Sequence, residues 1–331
     1  MIENSPAGFG AMRGRLAVVL VLLSVASLFL GVYFGSLHFS LTQTADALLS
    51  GTPDLAHRVI WELRLPRVLA AFVCGALLAT AGALLQVLLR NPLADPYILG
   101  VSGGAALGAL AAMVFGAGDL GINGIALLGA LAAAGIVFGV GFRGGDWNAY
   151  RLLLTGVVLA AGFGALISLV LTLAPEAQLK GMLFWLMGDL SDAGGSGPAW
   201  IVLAIVLGGA MLLAPGLNAL NLGSLKARSL GVAVGMLQIA IYFSASAATV
   251  AAVLLGGTIG FIGLIMPHVI RLLGITDYRW LLPLAALLGG AVLTLADTLA
   301  RTVWAPQQLP VGIFTALLGV PTMLWLLSAR R

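Results

Sequence analysis

The chain has 331 residues, of which 61% are hydrophobic and 8% charged, with a formal net charge of +4 and a mean hydropathy of +1.10. Soluble domains carry about 25% charged residues, so these few charges exclude a water-soluble domain and predict a polytopic membrane protein. The basic residues are scattered over short loops, which favours a charge bias across a membrane over nucleic-acid binding.

Ten apolar segments predict ten membrane-spanning helices, because one span needs about 20 apolar residues. The uncharged stretch 229–270 is long enough for two spans, with a turn at Gly256–Gly260 between them. The predicted fold is therefore an all-α integral membrane bundle, in a single domain over residues 1–331. The other eight spans are predicted at Leu16–Phe34, Val68–Leu89, Pro96–Gly118, Leu120–Phe142, Leu152–Ala174, Trp200–Ala214, Trp280–Ala300 and Val311–Leu327.

The distribution of basic residues predicts the orientation of the bundle. Ten spans place both termini on one side, and with that side in the cytoplasm eleven Lys and Arg lie inside and five outside. Residues 1–15 are then a cytoplasmic tail. The segment WELRLPR, Trp61–Arg67, faces outward, where Arg64 and Arg67 are exceptions to the positive-inside rule.

The sequence contains no motif for nucleotide binding or catalysis. A Walker A loop needs a lysine preceded by glycine and followed by Ser or Thr, but Lys180 and Lys226 both follow leucine. Cys74 is the only cysteine and the three histidines are far apart, so neither a metal site nor a bound cofactor is expected. If transport uses ATP, a separate subunit must bind it.

One predicted span contains an acid, Asp297, with Arg301 four residues further on. The two share a helix face and can form an ion pair. A structural pair and an exposed role for Arg301 are both compatible with this spacing. The roles of Asp297 and of His268, in the segment MPHVIR, stay open.

Four stretches stand out from the apolar background: LRLPR at Leu63–Arg67, NPLADPYILGVSGG at Asn91–Gly104, LNLGSLKARSLGV at Leu220–Val232 and GFIGLIMPHVIRLLG at Gly260–Gly274. LADTLAR and LPVGIFTALLGVP follow them. From about Leu63 to its C-terminus the chain resembles the FecCD-type permeases of type II ABC importers, which have these motifs in the same order. That family includes the cobalamin, haem and ferric-siderophore importer permeases.

The resemblance implies a ten-helix permease subunit of an ATP-driven, binding-protein-dependent importer of metal chelates. It implies a homodimer with the translocation path at its interface, and an ABC ATPase dimer that carries the ATP and magnesium. A periplasmic or surface-tethered binding protein would deliver a ferric siderophore, haem or cobalamin. The chain itself would be no enzyme, and it would lie in the lipid of the bacterial inner (cytoplasmic) membrane with both termini in the cytoplasm.

The family also implies docking residues on the outer face. There, arginines meet acidic residues of the binding protein, and Arg64, Arg67 and Arg301 occupy the matching positions. Exposed charges of this kind steer encounter and fix register. The alternative is that these arginines extend from the helix ends to the membrane interface.

Residues 215–232 resemble the family's cytoplasmic coupling-helix loop, which lies in a groove of the ATPase. Three small residues spaced by four are expected to form a flat helix face that a partner approaches closely, with a basic residue on each side. The expected coupling residues are Gly223, Lys226, Ala227, Arg228 and Gly231.

Asn91 and Leu93 match the family's cytoplasmic gate region. A helix break around Pro92 and Pro96, with Asn91 capping, is equally compatible with this segment. In some relatives, small hydroxyl residues near a further arginine also help to close the pore. Ala149 and Tyr150 take those places here, so that part of the gate is not expected.

Two other classes of protein compete with an importer permease. A secondary transporter driven by an ion gradient needs a relay of ionisable residues, for which Asp297 and His268 are the candidates, with no chain of acids between them. A membrane enzyme needs a cluster of nucleophile, base or metal ligands, which the scattered histidines and the one cysteine do not supply.

Overall fold

The computed structural model describes residues 6–49, 54–142, 147–191 and 195–328. All regular structure within these ranges is helical. The helices are α1 (Pro6–Tyr33), α2 (Leu41–Leu49), α3 (Leu55–Arg58), α4 (Leu65–Leu88), α5 (Val101–Val114), α6 (Asp119–Gly141), α7 (Ala149–Leu173), α8 (Glu176–Met187), α9 (Gly197–Leu212), α10 (Ala214–Asn221), α11 (Ser224–Ser229), α12 (Val234–Gly256), α13 (Ile262–Leu272), α14 (Tyr278–Thr302) and α15 (Val311–Ser328).

Each predicted span contains one apolar helix, which confirms the predicted all-α bundle. Helices α1, α6, α7, α12 and α14, and the continuous run from α3 to α4, are long and apolar enough to cross a membrane. Helices α9 and α10 form one bent unit with an angle of 63° between them. The remaining three apolar helices, α5, α13 and α15, are shorter.

The short helices differ from the predicted continuous spans. The predicted span Pro96–Gly118 is divided into a 3₁₀ turn, Pro96–Leu99, a left-handed Gly100 and the 14 residues of α5. Helix α13 has 11 residues, so it rises only about 17 Å, whereas a hydrocarbon core is about 30 Å thick. Proline and glycine interrupt the helical hydrogen bonding here, and neighbouring helices cover the interrupted backbone.

Helix α4 lies at the centre of the bundle, with 94% of its most apolar window buried. It packs against α9, α12, α13 and α14. Glycines make the close contacts possible: a side chain on Gly75 would overlap the Gly289 carbonyl, and one on Gly82 would overlap the Gly263 carbonyl. In lipid, where apolar burial does not drive helices together, such close packing stabilises the bundle.

Helix α7 lies at the periphery and has only 6% of its apolar window buried. Its exposed side chains include Leu154, Val157, Val158 and Leu169. A surface of this kind belongs against lipid or against another membrane subunit, since it would be strongly unfavourable in water. The bundle therefore has a buried centre at α4 and an apolar periphery that includes α7.

Candidate functional site

Three arginines meet at the end of the bundle where α4 begins and α14 ends. Arg64 closes a π-helical turn, Val59–Arg64, while Arg67 lies in the first turn of α4 and Arg301 in the last turn of α14. All three line an open cavity of about 590 Å³. We refer to this feature as the arginine cavity.

Asp297 joins two of these arginines in a buried ion triad. Its carboxylate is completely buried, and Oδ1 accepts hydrogen bonds from Arg67 Nε at 3.0 Å and Nη2 at 2.8 Å. Oδ2 lies 3.0 Å from Arg301 Nε. Of the two alternatives compatible with the spacing, the structure therefore has the ion pair between Asp297 and Arg301. The bond to Arg67 was not predicted, because no local spacing relates positions on different helices.

Backbone carbonyl groups accept hydrogen bonds from Arg64 and from the second guanidinium nitrogen of Arg301. Arg64 donates to the carbonyls of Val32 at 3.0 Å and Tyr33 at 2.7 Å, and also to that of Leu37. Arg301 Nη2 donates to the Gly31 carbonyl at 3.0 Å. These fixed acceptors replace the water that a charged group loses on burial.

Arg67 has a further set of polar partners on the cavity side. Its Nη1 donates to the side chains of Gln308 and Ser191, and the Ser191 hydroxyl donates in turn to Asp189 at 2.6 Å. The segments after α8 and before α15 are thereby tied to the beginning of α4. A hydrogen-bonded network of this kind fixes the orientation of the guanidinium.

The expectation that the docking arginines are exposed is wrong. Arg64, Arg67 and Arg301 are only 4%, 6% and 6% exposed. They are not flexible interfacial side chains either, because each is bonded to acceptors on other segments. The cavity lining also contains two acids, Glu62 and Asp119.

A second feature lies at the opposite end of α4, in the loop that contains α11. The expected small face of α11 does not exist in the predicted form. Gly223 and Gly231 have positive φ angles of 115° and 82° and lie outside the helix, while Ala227 is completely buried in this chain. Glycine adopts positive φ easily, so these two residues end the helix on both sides instead of forming its face.

Leucines form the exposed surface of this loop. Leu222, Leu225 and Leu230 are 62%, 81% and 66% exposed, and we refer to them as the leucine patch. The basic residues Lys226 and Arg228 are also exposed. The signal was present in the segment LNLGSLKARSLGV, where leucines interrupt an otherwise polar loop. Three exposed apolar residues on one short loop make this loop a candidate interaction surface.

The segment after α4 forms a tight turn. The Asn91 side chain accepts a hydrogen bond from the Leu93 backbone at 2.9 Å, and the Asn91 carbonyl accepts one from Ala94. The predicted helix break is confirmed, but Asn91 does not cap a helix: the 3₁₀ turn Pro96–Leu99 that follows is capped by Asp95, whose side chain accepts from the Tyr97 N–H. Leu93 is 41% exposed.

The long apolar helices and the apolar periphery are those of a protein embedded in a membrane. A model of the FecCD transport family matches residues 20–329. The chain belongs to this family.

Curated relatives cover most of the chain. It is 41% identical over 333 residues to the hemin transport system permease protein HmuU of Yersinia pestis, covering 97% of this chain and 96% of that protein. It is 39% identical over 276 residues to the vitamin B12 import system permease protein BtuC of Escherichia coli O9:H4, covering 82% and 84%. An uncharacterised ABC transporter permease of Bacillus subtilis, YvrB, is 38% identical over 322 residues, covering 92% and 91%.

Solved structures agree with this assignment. An inward-facing metal-chelate type ABC transporter superposes with a TM-score of 0.82 at 29% identity, covering 96% of this chain and all of that chain. PsaBC from Streptococcus pneumoniae, with a TM-score of 0.54 at 16% identity over 86% of this chain and 94% of that chain, shares the fold. The chain is a multi-pass permease subunit of an ABC importer.

Proposed function

We propose that this permease imports a metal chelate across the bacterial inner membrane, as a homodimer driven by an ATPase dimer and supplied by a binding protein. The observation that supports this proposal is the pair of built surfaces at opposite ends of one bundle. The arginine cavity offers positive groups to an acidic partner, and the leucine patch offers apolar groups to a second partner. Relatives named for hemin and vitamin B12 support the chelate class.

The orientation follows from the charge distribution. With both termini in the cytoplasm, eleven basic residues lie inside and five outside, in agreement with the positive-inside rule. The arginine cavity then faces the binding protein, and the loop of residues 215–232 faces the ATPase. Helix α7, which is almost unburied in one chain, supplies apolar surface for the second copy.

Docking at the arginine cavity uses positioned charges. Two arginines share the single carboxylate of Asp297, so the triad keeps a net charge of +1. A charge held by buried bonds acts more strongly than one in water, because the surrounding protein screens it less. Carboxylates on the two lobes of a binding protein are the matching partner groups.

The docking hypothesis can be tested with single charge changes. Arg64→Gln is expected to weaken binding-protein association about tenfold or more, in line with the loss of a charge-assisted contact. Glu62→Gln carries no comparable folding risk, because Glu62 is an exposed residue at the cavity, and it is expected to strengthen association. The exposed Arg58 does not line the cavity, so Arg58→Gln serves as the control.

Surface plasmon resonance with the detergent-solubilised permease measures these effects at low and high salt. The effect of Glu62→Gln should shrink as salt increases, since salt screens exposed charges, whereas the effect at the buried Arg64 should change less. The docking hypothesis fails if Glu62→Gln changes the affinity for the binding protein no differently from the control Arg58→Gln.

Coupling at the other end depends on the leucine patch in this proposal. Lys226 and Arg228 flank the patch, while Gly223, Ala227 and Gly231 shape the loop. Leu225→Ser is expected to lower ATP-driven uptake and co-purification of the ATPase, but not docking of the binding protein. Leu120→Ser makes the same change at another exposed leucine, beside Asp119 of the arginine cavity, and should leave the ATPase bound. If Leu225→Ser retains as much ATPase as Leu120→Ser, the assignment of the leucine patch to ATPase coupling is contradicted.

The gate is proposed at the Asn91 turn with Leu93. This turn directly follows Arg90, which lines a pocket together with Ser224 and Arg228 from α11. Displacement of α11 by the ATPase would therefore change the pocket that Arg90 lines beside the turn. Asn91→Ala removes the hydrogen bond to Leu93 and is expected to increase leakage of chelate from loaded vesicles without ATP.

The transported class is tested with vesicles that contain the permease, its ATPase and its binding protein. Labelled cobalamin, haem and ferric siderophores are offered in parallel. Uptake of one chelate that requires both ATP and the binding protein is the expected result. Uptake that survives ATP depletion and stops when the proton gradient is abolished would instead support a secondary transporter. Bonding of Asp297 to two arginines argues against its use as a proton relay.

A further inference from the structure

A second polar cavity lies at the end of the bundle that contains the leucine patch. It has a volume of about 170 Å³ and lies between the end of α4, the beginning of α7, the loop with α11 and the beginning of α12. Five residues contribute polar side-chain groups to its lining: Arg90, Trp147, Ser224, Arg228 and Gln238. No acidic side chain lines it in the ranges that the structure describes.

The lining contains donors that have no acceptor among the residues that the structure describes. The Trp147 Nε1–H is buried and has no hydrogen-bond partner in the described part of the chain, although buried polar groups in proteins are nearly always bonded. Neither the Arg90 nor the Arg228 guanidinium donates to another residue within the described ranges. In the arginine cavity, by contrast, guanidinium groups are held by a carboxylate and by carbonyls.

The backbone at Arg90 is also unusual. Arg90 has φ of +48°, one of two non-glycine residues with positive φ among the described residues. Its N–H bonds the Val87 carbonyl at 3.3 Å and the Asn91 N–H bonds the Gln86 carbonyl at 3.1 Å. This is the Schellman arrangement, in which the left-handed position is normally glycine. An arginine there strains the backbone, and strained positions of this kind cluster at ligand sites.

The chemistry of the lining selects an oxyanion with several acceptor oxygens. Two planar guanidinium groups and an indole N–H supply donors from several directions, which matches the tetrahedral oxygens of a phosphate. The pocket holds one such group but is too small for a nucleotide. Trp147 packs against Phe142 and Tyr242 in an aromatic group of the type found at a membrane interface.

We propose that this pocket binds a phosphate group, either from the headgroup of an anionic lipid or as free phosphate. Basic pockets between helices at the cytoplasmic side are suited to anionic headgroups. A phosphate held by Arg90 and Arg228 would connect the turn at Asn91 with helix α11. Its binding is independent of which chelate the permease carries.

The decisive substitution is Arg90→Gly, because it separates binding from folding. Glycine fits the left-handed position without strain, so the folded protein should be at least as stable as the unsubstituted one. Loss of the guanidinium should weaken phosphate binding about tenfold or more. Trp147→Phe removes only the buried N–H donor and should weaken binding by a smaller factor. Arg279→Ala removes an exposed arginine outside the pocket and should change nothing in binding.

The full-length permease in detergent is titrated with inorganic phosphate at constant ionic strength, with the melting temperature as readout. Native mass spectrometry with phosphatidylglycerol, and with phosphatidylcholine as its zwitterionic counterpart, provides the lipid arm. A response to phosphate, to phosphatidylglycerol or to both supports the pocket if the response is lost in Arg90→Gly. A response to only one of the two identifies the source of the phosphate group. No response to either, or an equal response in Arg90→Gly, overturns the proposal.

Discussion

The buried ion triad makes a quantitative prediction for Asp297→Asn, which keeps the size of the side chain and removes its charge. Breaking a buried pair costs about 3–5 kcal/mol, because the remaining charge is left uncompensated. Here two guanidinium groups lose their counter-ion, but Arg67 keeps Gln308 and Arg301 keeps the Gly31 carbonyl. Both arginines also line the open cavity, which water can enter. We therefore expect a loss of about 3 kcal/mol, at the lower end of this range.

The assay is equilibrium unfolding in mixed micelles, followed by far-UV circular dichroism. The triad carries a net charge of +1, Asp297→Asn raises it to +2, and a double variant with Arg301→Gln returns it to +1. The double variant should thus lose less stability than the sum of the single variants, by at least about 1 kcal/mol. If Asp297→Asn unfolds within about 0.5 kcal/mol of the unsubstituted protein, the triad does not stabilise the bundle.

Two further predictions concern other parts of the bundle. Gly82→Ala places a methyl group against the Gly263 carbonyl and should cost about 3 kcal/mol in unfolding free energy, whereas Gly235→Ala enters open space and should not destabilise. At the N-terminus of α14, burial raises the pKa of Asp277, but the hydrogen bond from Asn218 and neighbouring positive charges outweigh burial and lower it overall. A carboxyl group with a lowered pKa stabilises the fold at pH values above its pKa in the unfolded chain, and this stabilisation is lost in acid. Asn218→Ala should therefore destabilise the protein by about 1 kcal/mol near neutral pH. In thermal unfolding, the difference from the unsubstituted protein should narrow as the pH falls below about 4.

The number and order of the apolar helices could be predicted because each apolar run reflects the lipid around it. The lengths of helices α5 and α13 could not be predicted, since they depend on where the chain breaks inside the bundle. At Gly100 the backbone turns left-handed, and at Phe261 it does so without glycine. The contact of Phe261 with Gly319 of α15 shows that packing between distant segments accompanies this break.

The candidate sites show the same division. The positions of the docking arginines could be assigned from their motifs, but their burial could not be predicted. Arg67 binds an acid on α14, and Arg64 binds carbonyls at the end of α1 and just after it, so both depend on contacts between distant segments. In the loop with α11, a spacing of four favoured a helical glycine face. That prediction was wrong because a helical spacing requires every residue in the run to be helical, whereas Gly223 and Gly231 have positive φ.

The order of synthesis gives the ion triad a consequence for biogenesis. Arg67 precedes Asp297 by 230 residues. At about 5–20 residues per second, the chain exposes Arg67 for roughly 10–50 s before its counter-ion is made. Helix α4, uncharged from Val68 to Leu88, can stay in lipid during this time with Arg67 at its aqueous end. The arginine cavity is therefore completed only when α14 inserts, among the last steps of assembly.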